Sequence, residues 1–136
     1  MADKTNNEAE QKDTIAPKEW ALEIAQLISD RHGYDIVILQ VGEISPITDY
    51  LLIATGTSDR QLVSVADELQ RLGKKKGNKV WKVAGQDSGD WVVLDFVDVV
   101  VHLFSEDLRR YYDLELIWGE APRVEWERDE PAENAR

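Results

Sequence analysis

Cysteine is absent from the chain, so disulfides and thiolate metal sites are excluded and stability must come from a packed core. A reducing interior fits that absence. No apolar run approaches the roughly 20 residues needed to span a bilayer. The opening MADKTNNEAEQKDT is polar and acidic, unlike a secretory signal or an Arg-rich transit peptide, and a cytoplasmic location is the expectation. Positive charge is also scarce: 16 basic residues face 27 acidic ones, for a net charge of −11. Sequence-independent nucleic-acid binding requires neutralised phosphates, so this balance favours a basic protein as partner.

What is present fits one domain of 136 residues with 43% hydrophobic and 32% charged positions. Residues 1–16 lack apolar periodicity and read as a disordered acidic tail, residues 17–122 as the folded domain, and residues 123–136 as a flexible C-terminal tail. The tails 1–16 and 120–136 carry −2 and −3, so the intervening stretch still holds −6.

Pro17 opens a helix at its favoured first position, and Trp20, Ala21, Ile24, Leu27 and Ile28 form its apolar stripe. Arg31-His32-Gly33 reads as its stop, with Gly33 supplying the left-handed residue. Asp35–Val41 and Tyr50–Thr55 read as strands around a loop containing Pro46. Ser58 and Gln61 form a capping box ahead of a helix with Leu62, Val65, Ala66, Leu69 and Leu72 on one face. Lys79–Val83, Trp91–Asp95 and Val99–Phe104 read as three further strands, the last two a hairpin across Phe96-Val97-Asp98. Ser105 caps a final helix that Gly119 and Pro122 stop. The order α-β-β-α-β-β-β-α predicts an α/β domain, a mixed five-stranded sheet flanked by helices. The helix between the second and third strands favours parallel pairing of those two.

Several segments raise the question of chemistry. Thr55-Gly56-Thr57-Ser58 precedes a helix N-terminus, where anions bind, but lacks the P-loop lysine and the dinucleotide glycine spacing, so turn-and-cap service is the better reading. Asp87/Asp90 and Asp95/Asp98 are each three apart, not the Asp-x-Asp that turns two carboxylates to one strand face for metals. They read as turn formers and partner contacts. His32 reads as a helix cap. His102 shares a strand face with Asp98, Val100 and Phe104 and has no Ser or Cys nucleophile in a recognisable motif, so it reads as structural. The lysine run at 74–79 is the one basic cluster; a helix end attracts cations by itself, so a solvated face is preferred, with RNA contact through Lys74–Lys82 as the alternative.

Residues 90–118, DWVVLDFVDVVVHLFSEDLRRYYDLELIW, say most. With Asp87 just before it, this segment carries eight carboxylates against Arg109 and Arg110, and Trp91, Tyr111, Tyr112 and Trp118 lie within it. On the last helix, Leu108, Tyr111, Leu114 and Trp118 fall on one side, with Tyr112 and Glu115 nearby. Aromatics left outside serve as binding anchors. The segment offers neither a nucleophile beside a base nor a metal cluster, which points to a surface that holds another protein.

The same residues carry a family resemblance. Asp49-Tyr50-Leu51-Leu52-Ile53-Ala54-Thr55-Gly56, Ser58 with Arg60-Gln61, Ala66-Asp67, Gly85, Trp91-Val92-Val93-Leu94-Asp95, Asp98-Val99-Val100-Val101-His102-Leu103-Phe104, Arg109, Tyr112, Leu114-Glu115 and Trp118 together resemble the Iojap-type ribosomal silencing factors of bacteria and organelles. The resemblance spans roughly residues 20–120, and its joint spacing is far more specific than any single motif. It implies a nucleotidyltransferase-like fold without known catalysis, no cofactor and no metal. It further implies docking on large-subunit ribosomal protein fourteen and steric blocking of subunit joining when nutrients are scarce; some members are homodimers. On that reading Trp91 and Tyr112 are the anchors, Asp95, Asp98, Arg109 and Glu115 the polar contacts, and Asp49 and Trp118 secondary ones. The contending function is a nucleotide-binding enzyme of nucleotidyltransferase type. Two positions depart from the family pattern: Ala84 stands where Glu is usual, and Val97 where Gly is usual, so a different hairpin geometry is expected there.

Overall fold

The structure, a computed structural model, describes residues 15–127. Helix α1 (Pro17–Asp30) starts at Pro17, whose missing N–H costs nothing in a first turn, and buries Trp20, Ala21, Ile24, Ala25 and Ile28. Its end corrects the expected stop. His32, not Gly33, takes the left-handed conformation (φ 75°), while the N–H groups of His32 and Gly33 donate to Ser29 O (3.0 Å) and Ile28 O (2.8 Å) in the 6→1, 5→2 pattern. Gly33 is required for space instead: a Cβ there would lie 2.3 Å from Ile28 Cγ2.

Strands β1 (Tyr34–Gln40) and β2 (Tyr50–Thr55) are antiparallel, with an irregularity between Tyr34 and Val37 where Asp35 has φ 50°. Helix α2 (Asp59–Lys75) is capped by Ser58, whose Oγ accepts from Gln61 N at 3.1 Å. Gln61 reaches back to Thr57, its Oε1 accepting from Thr57 N and Oγ1, and its Nε2 donates to Arg31 O (2.6 Å), joining the two helix ends. Strands β3 (Lys82–Ala84), β4 (Trp91–Asp95) and β5 (Val99–Phe104) follow.

The sheet order is β1-β2-β5-β4-β3. Here the expected pairing fails: the parallel partner of β2 is β5, and β3 lies at the far edge, antiparallel to β4. The reason lies in side-chain distribution. Strand β5 is apolar on both faces apart from His102 and belongs in the centre, whereas β3 exposes Lys82 and Ala84 and suits an edge. Strand β3 is also shorter than expected, its approach marked by one bond from Trp81 N to Asp95 O (2.8 Å).

One sheet face carries Ile36, Ile38, Leu52, Ala54, Val92, Leu94, Val101 and Leu103 under α1 and α2, with Trp20 meeting Phe96 edge-on at 5.1 Å. The other face carries a smaller cluster of Leu39, Val41, Leu51, Ile53 and Phe104. The last helix is not continuous. Asp113 is left-handed (φ 46°, ψ 57°) and divides it into α3 (Glu106–Tyr112) and α4 (Leu114–Ile117). Leu108, Leu114 and Trp118 pack into the smaller cluster, but Tyr111 is turned out, so the four do not share one buried side.

Residues 123–127, expected in a flexible tail, instead lie along β1. Gln40 N donates to Pro122 O (2.8 Å), Val124 N to Ile38 O (2.9 Å) and Trp126 Nε1 to Ile36 O (3.0 Å). Val124 and Trp126 pack on the main core, so burying them and satisfying an exposed strand edge outweigh the entropy of a short charged segment. Residues 1–14 and 128–136, most of the two expected tails, lie outside the described residues.

Candidate functional site

Strand β4 alternates strictly. Val92 and Leu94 enter the helix-covered core, while Trp91, Val93 and Asp95 face the other side, half-buried. The register extends this row: Trp91 lies opposite Phe104, Val93 opposite His102, and Asp95 opposite Val100. The turn of α3 and α4 covers the β1–β2 side of that face and leaves Val93, Asp95, Val100 and His102 only half-covered.

Across the top runs a stack of rings. Tyr112 meets Trp91 at 4.5 Å, Trp91 meets Phe104 at 4.9 Å, and Tyr111 stands edge-on to Tyr112 at 5.0 Å. Trp91 Nε1 donates to His102 Nδ1 at 3.1 Å, so this imidazole serves as an acceptor. Burial pushes its pKa down to about 4, holding it neutral and consistent with a structural role. Periodicity left open which aromatics face solvent. Tyr111 is 78% and Tyr112 44% exposed, whereas Trp91 and Trp118 are half-buried.

Arg109 holds the corner. Its Nε and Nη2 fork onto the Glu115 carboxylate (both 3.2 Å), and Nη1 donates to Thr55 Oγ1 (2.7 Å) and to Asp35 O. The left-handed turn at Asp113 is what swings Glu115 back within reach. Both charges are thus engaged within the chain, with Arg109 12% and Glu115 26% exposed in their side chains.

The eight expected contact residues therefore fall in two groups. Trp91, Tyr112, Arg109, Glu115 and Trp118 gather around α3 and α4. Asp49, Asp95 and Asp98 lie at the opposite end of the strands, about 13 Å away along β4. There the Asp98 carbonyl accepts from Asp49 N (3.1 Å) and Tyr50 N (3.0 Å). Asp95 Oδ1 accepts from Val97 N (2.7 Å), and Asp98 N donates to Phe96 O (3.0 Å). Those bonds hold Val97 at φ 78° in a tight three-residue turn, the conformation that a glycine would take without strain. Ala84 pairs with Val93 and is exposed on the same face, at the margin of this patch. The following Gly85 (φ 87°) passes so close to β4 that a Cβ would meet Trp91 O at 1.9 Å.

Leu116 (78% exposed) and Ile117 (69%) add apolar surface on α4 that the sequence reading did not single out. Two adjacent aliphatic residues ahead of Gly119 were the available signal, but the break at Asp113 decides that they face outward.

The Thr55–Ser58 turn is taken up internally: Thr55 is buried against Arg109, and the donors of Thr57 go to Gln61. Asp90 Oδ1 accepts from Ser88 Oγ (2.8 Å), again a turn contact. Among the described residues no group of three or more His, Asp or Glu is placed to hold a metal ion.

A family profile described as "Ribosomal silencing factor during starvation" matches residues 14–136. The chain belongs to that family. The ribosomal silencing factor of Bacillus subtilis is 42% identical over 98 residues, covering 72% of this chain and 83% of the relative. That of Halalkalibacterium halodurans is 39% identical over 100 residues, covering 74% and 86%. A mouse relative named for mitochondrial assembly of the ribosomal large subunit is 32% identical over 98 residues, 70% of this chain and 43% of its own length. A crystal structure from Chromobacterium violaceum superposes with a TM-score of 0.75 at 30% identity, covering 85% of this chain and 95% of that one.

Proposed function

We propose that this chain represses translation by docking on the large ribosomal subunit through ribosomal protein fourteen and obstructing the approach of the small subunit. The reading is supported by the exposed Tyr111, Tyr112, Leu116 and Ile117 of α3 and α4, with Trp91 against Tyr112, and by the half-covered sheet face that runs from Trp91 to Asp95. Large aromatics left exposed beside a packed stack are the usual centre of a protein interface. Net charge of −11 suits a cationic neighbour and speeds the encounter. Occlusion needs bulk at one place and no turnover; an interface of roughly 1,600 Å² suffices. Trp91 and Tyr112 act as anchors, Asp95 and Asp98 as acidic contacts, Asp49 and Trp118 as secondary ones. Arg109 and Glu115 contribute by setting the angle of α4.

A charge reversal of Asp95 together with Glu115 would also dismantle the Val97 turn and the Arg109 pair. The cleaner test replaces Tyr111 and Tyr112 by Ala. Expected: co-sedimentation with purified large subunits weakens by about 100-fold, and subunit pairing is restored at concentrations where the unaltered chain blocks it. If subunits pair equally well with and without excess of the unaltered chain, the proposal fails.

A further inference from the structure

The positive charge of this chain is concentrated at one border. Five of its 16 basic residues, Lys74, Lys75, Lys76, Lys79 and Lys82, fall within residues 74–82, which contain no carboxylate, so the rest of the chain carries −16. Lys74 and Lys75 are exposed in the last turn of α2, Lys79 is exposed in the connection, and Lys82 is exposed at the start of edge strand β3. Lys76 is engaged by Glu23 at 3.4 Å, while no ion pair with a described residue engages the other four.

A helix C-terminus attracts cations, which accounts for Lys74 and Lys75, and charge on an edge strand discourages unwanted pairing, which accounts for Lys82. Neither accounts for Trp81. Its backbone is tied down, N–H to Asp95 O at 2.8 Å, and the preceding Val80 packs on the main core. Yet its ring is 70% exposed, between Lys79 and Lys82. A tryptophan fixed at its backbone, exposed to solvent and flanked by lysines that pair with no described carboxylate combines the two elements that bind an unpaired polynucleotide: cations for phosphates and a platform for a base.

We propose that residues 74–82 form an RNA-binding strip in which Lys74, Lys75, Lys79 and Lys82 neutralise phosphates and Trp81 stacks on an unpaired base. A membrane surface would call for apolar depth, and in this strip Trp81 is the sole exposed apolar side chain. An acidic protein would satisfy the lysines but has no particular use for a flat ring among them. The −16 on the remainder repels phosphate and confines contact to this border. The strip lies apart from the ring stack but borders the acidic end of that face, where Lys82 stands opposite Asp95, so Trp81, which the protein-docking reading does not use, tells the two contacts apart.

The test uses the full chain and a labelled single-stranded RNA of about 12 nucleotides of mixed sequence, followed by fluorescence anisotropy. With four phosphates neutralised, log affinity is expected to fall against log salt with a slope of about −3. Lys79→Gln with Lys82→Gln should halve that slope. Trp81→Ala should weaken binding about tenfold at every salt concentration with the slope unchanged, and Trp81→Phe should restore most of the loss. Should Trp81→Ala shift the unfolding midpoint, Trp81→Phe and the paired lysine variant carry the test alone. RNA binding without salt dependence, or binding that none of these variants alters, overturns the proposal. So does equally strong, strip-dependent binding to phosphatidylserine vesicles or polyglutamate.

Discussion

Replacing Arg109 by Met removes one side chain and releases four contacts at once. The Glu115 carboxylate loses both arms of a fork at 3.2 Å, Thr55 Oγ1 loses a donor at 2.7 Å, and Asp35 O loses another. Thr55 is 1% exposed, so water reaches its hydroxyl poorly. Breaking a buried ion pair by deleting one partner costs about 3–5 kcal/mol. Glu115 keeps 26% of its side-chain surface and has Arg123 at 3.9 Å, so part of its charge is recovered by solvent and by that second cation. We therefore expect a loss of about 3 kcal/mol, near the lower limit, which for a chain of this size lowers Tm by roughly 10 °C. Methionine retains much of the aliphatic volume, so little of the loss should come from packing.

Urea unfolding of the single variants Arg109→Met and Glu115→Gln and of the double variant supplies the check. Because each partner leaves the other unpaired, the double variant should be less destabilised than the sum, with a coupling of at least about 1.5 kcal/mol. A coupling below about 0.3 kcal/mol, within the error of such cycles, would refute the view that this pair holds the α3–α4 corner. Near-UV circular dichroism should change in parallel, since Tyr112 loses its seat on Trp91 when α3 loosens.

Val97→Gly should stabilise the fold by about 0.5–1 kcal/mol, because relief of a β-branched residue at φ 78° outweighs the added chain entropy of glycine; a lower urea midpoint would contradict the strained turn. His102 makes stability pH-dependent in a defined window. Its pKa is about 4 in the folded chain against an ordinary 6.5, so the full contribution is present above pH 6.5. As pH falls from there, the unfolded chain takes up a proton that the folded one refuses, and stability declines until pH passes about 4. The decline from this group amounts to about 3 kcal/mol at most, and His102→Gln, which keeps an acceptor for Trp91, should remove it; identical pH profiles for both chains would refute the assignment. Tyr111→Ala with Tyr112→Ala, by contrast, should move the unfolding midpoint little relative to its effect on subunit binding, because Tyr111 is largely exposed, Tyr112 is more than a third exposed, and their ring contacts are with each other and Trp91.

Local signals determined much of this protein without help. Pro17, the Ser58–Gln61 and Ser105 caps, and the one-sided stripes of α1 and α2 act within a turn or two, so their outcome is already written in neighbouring residues. The strict alternation of Trp91, Val93 and Asp95 likewise needs only the period of a strand. Family membership was legible in the joint spacing of residues from Asp49 to Trp118.

Tertiary structure decided what depends on distant partners. Strand order followed from which strand could be buried on both faces, a competition among all five that set β5 beside β2 and β3 at the rim. Left-handed His32, Val97 and Asp113 carry no glycine signal; their cost is met by bonds that exist only when the surrounding segments meet. Arg109 and Glu115 read as polar contacts for a partner, six residues apart, until the turn at Asp113 and the arrival of Thr55 made them one corner. Residues 123–126 read as tail because their apolar members are too few to fold alone, and only the open edge of β1 gives them somewhere to lie. Periodicity specifies which residues want burial; which neighbour buries them is settled by the whole chain at once.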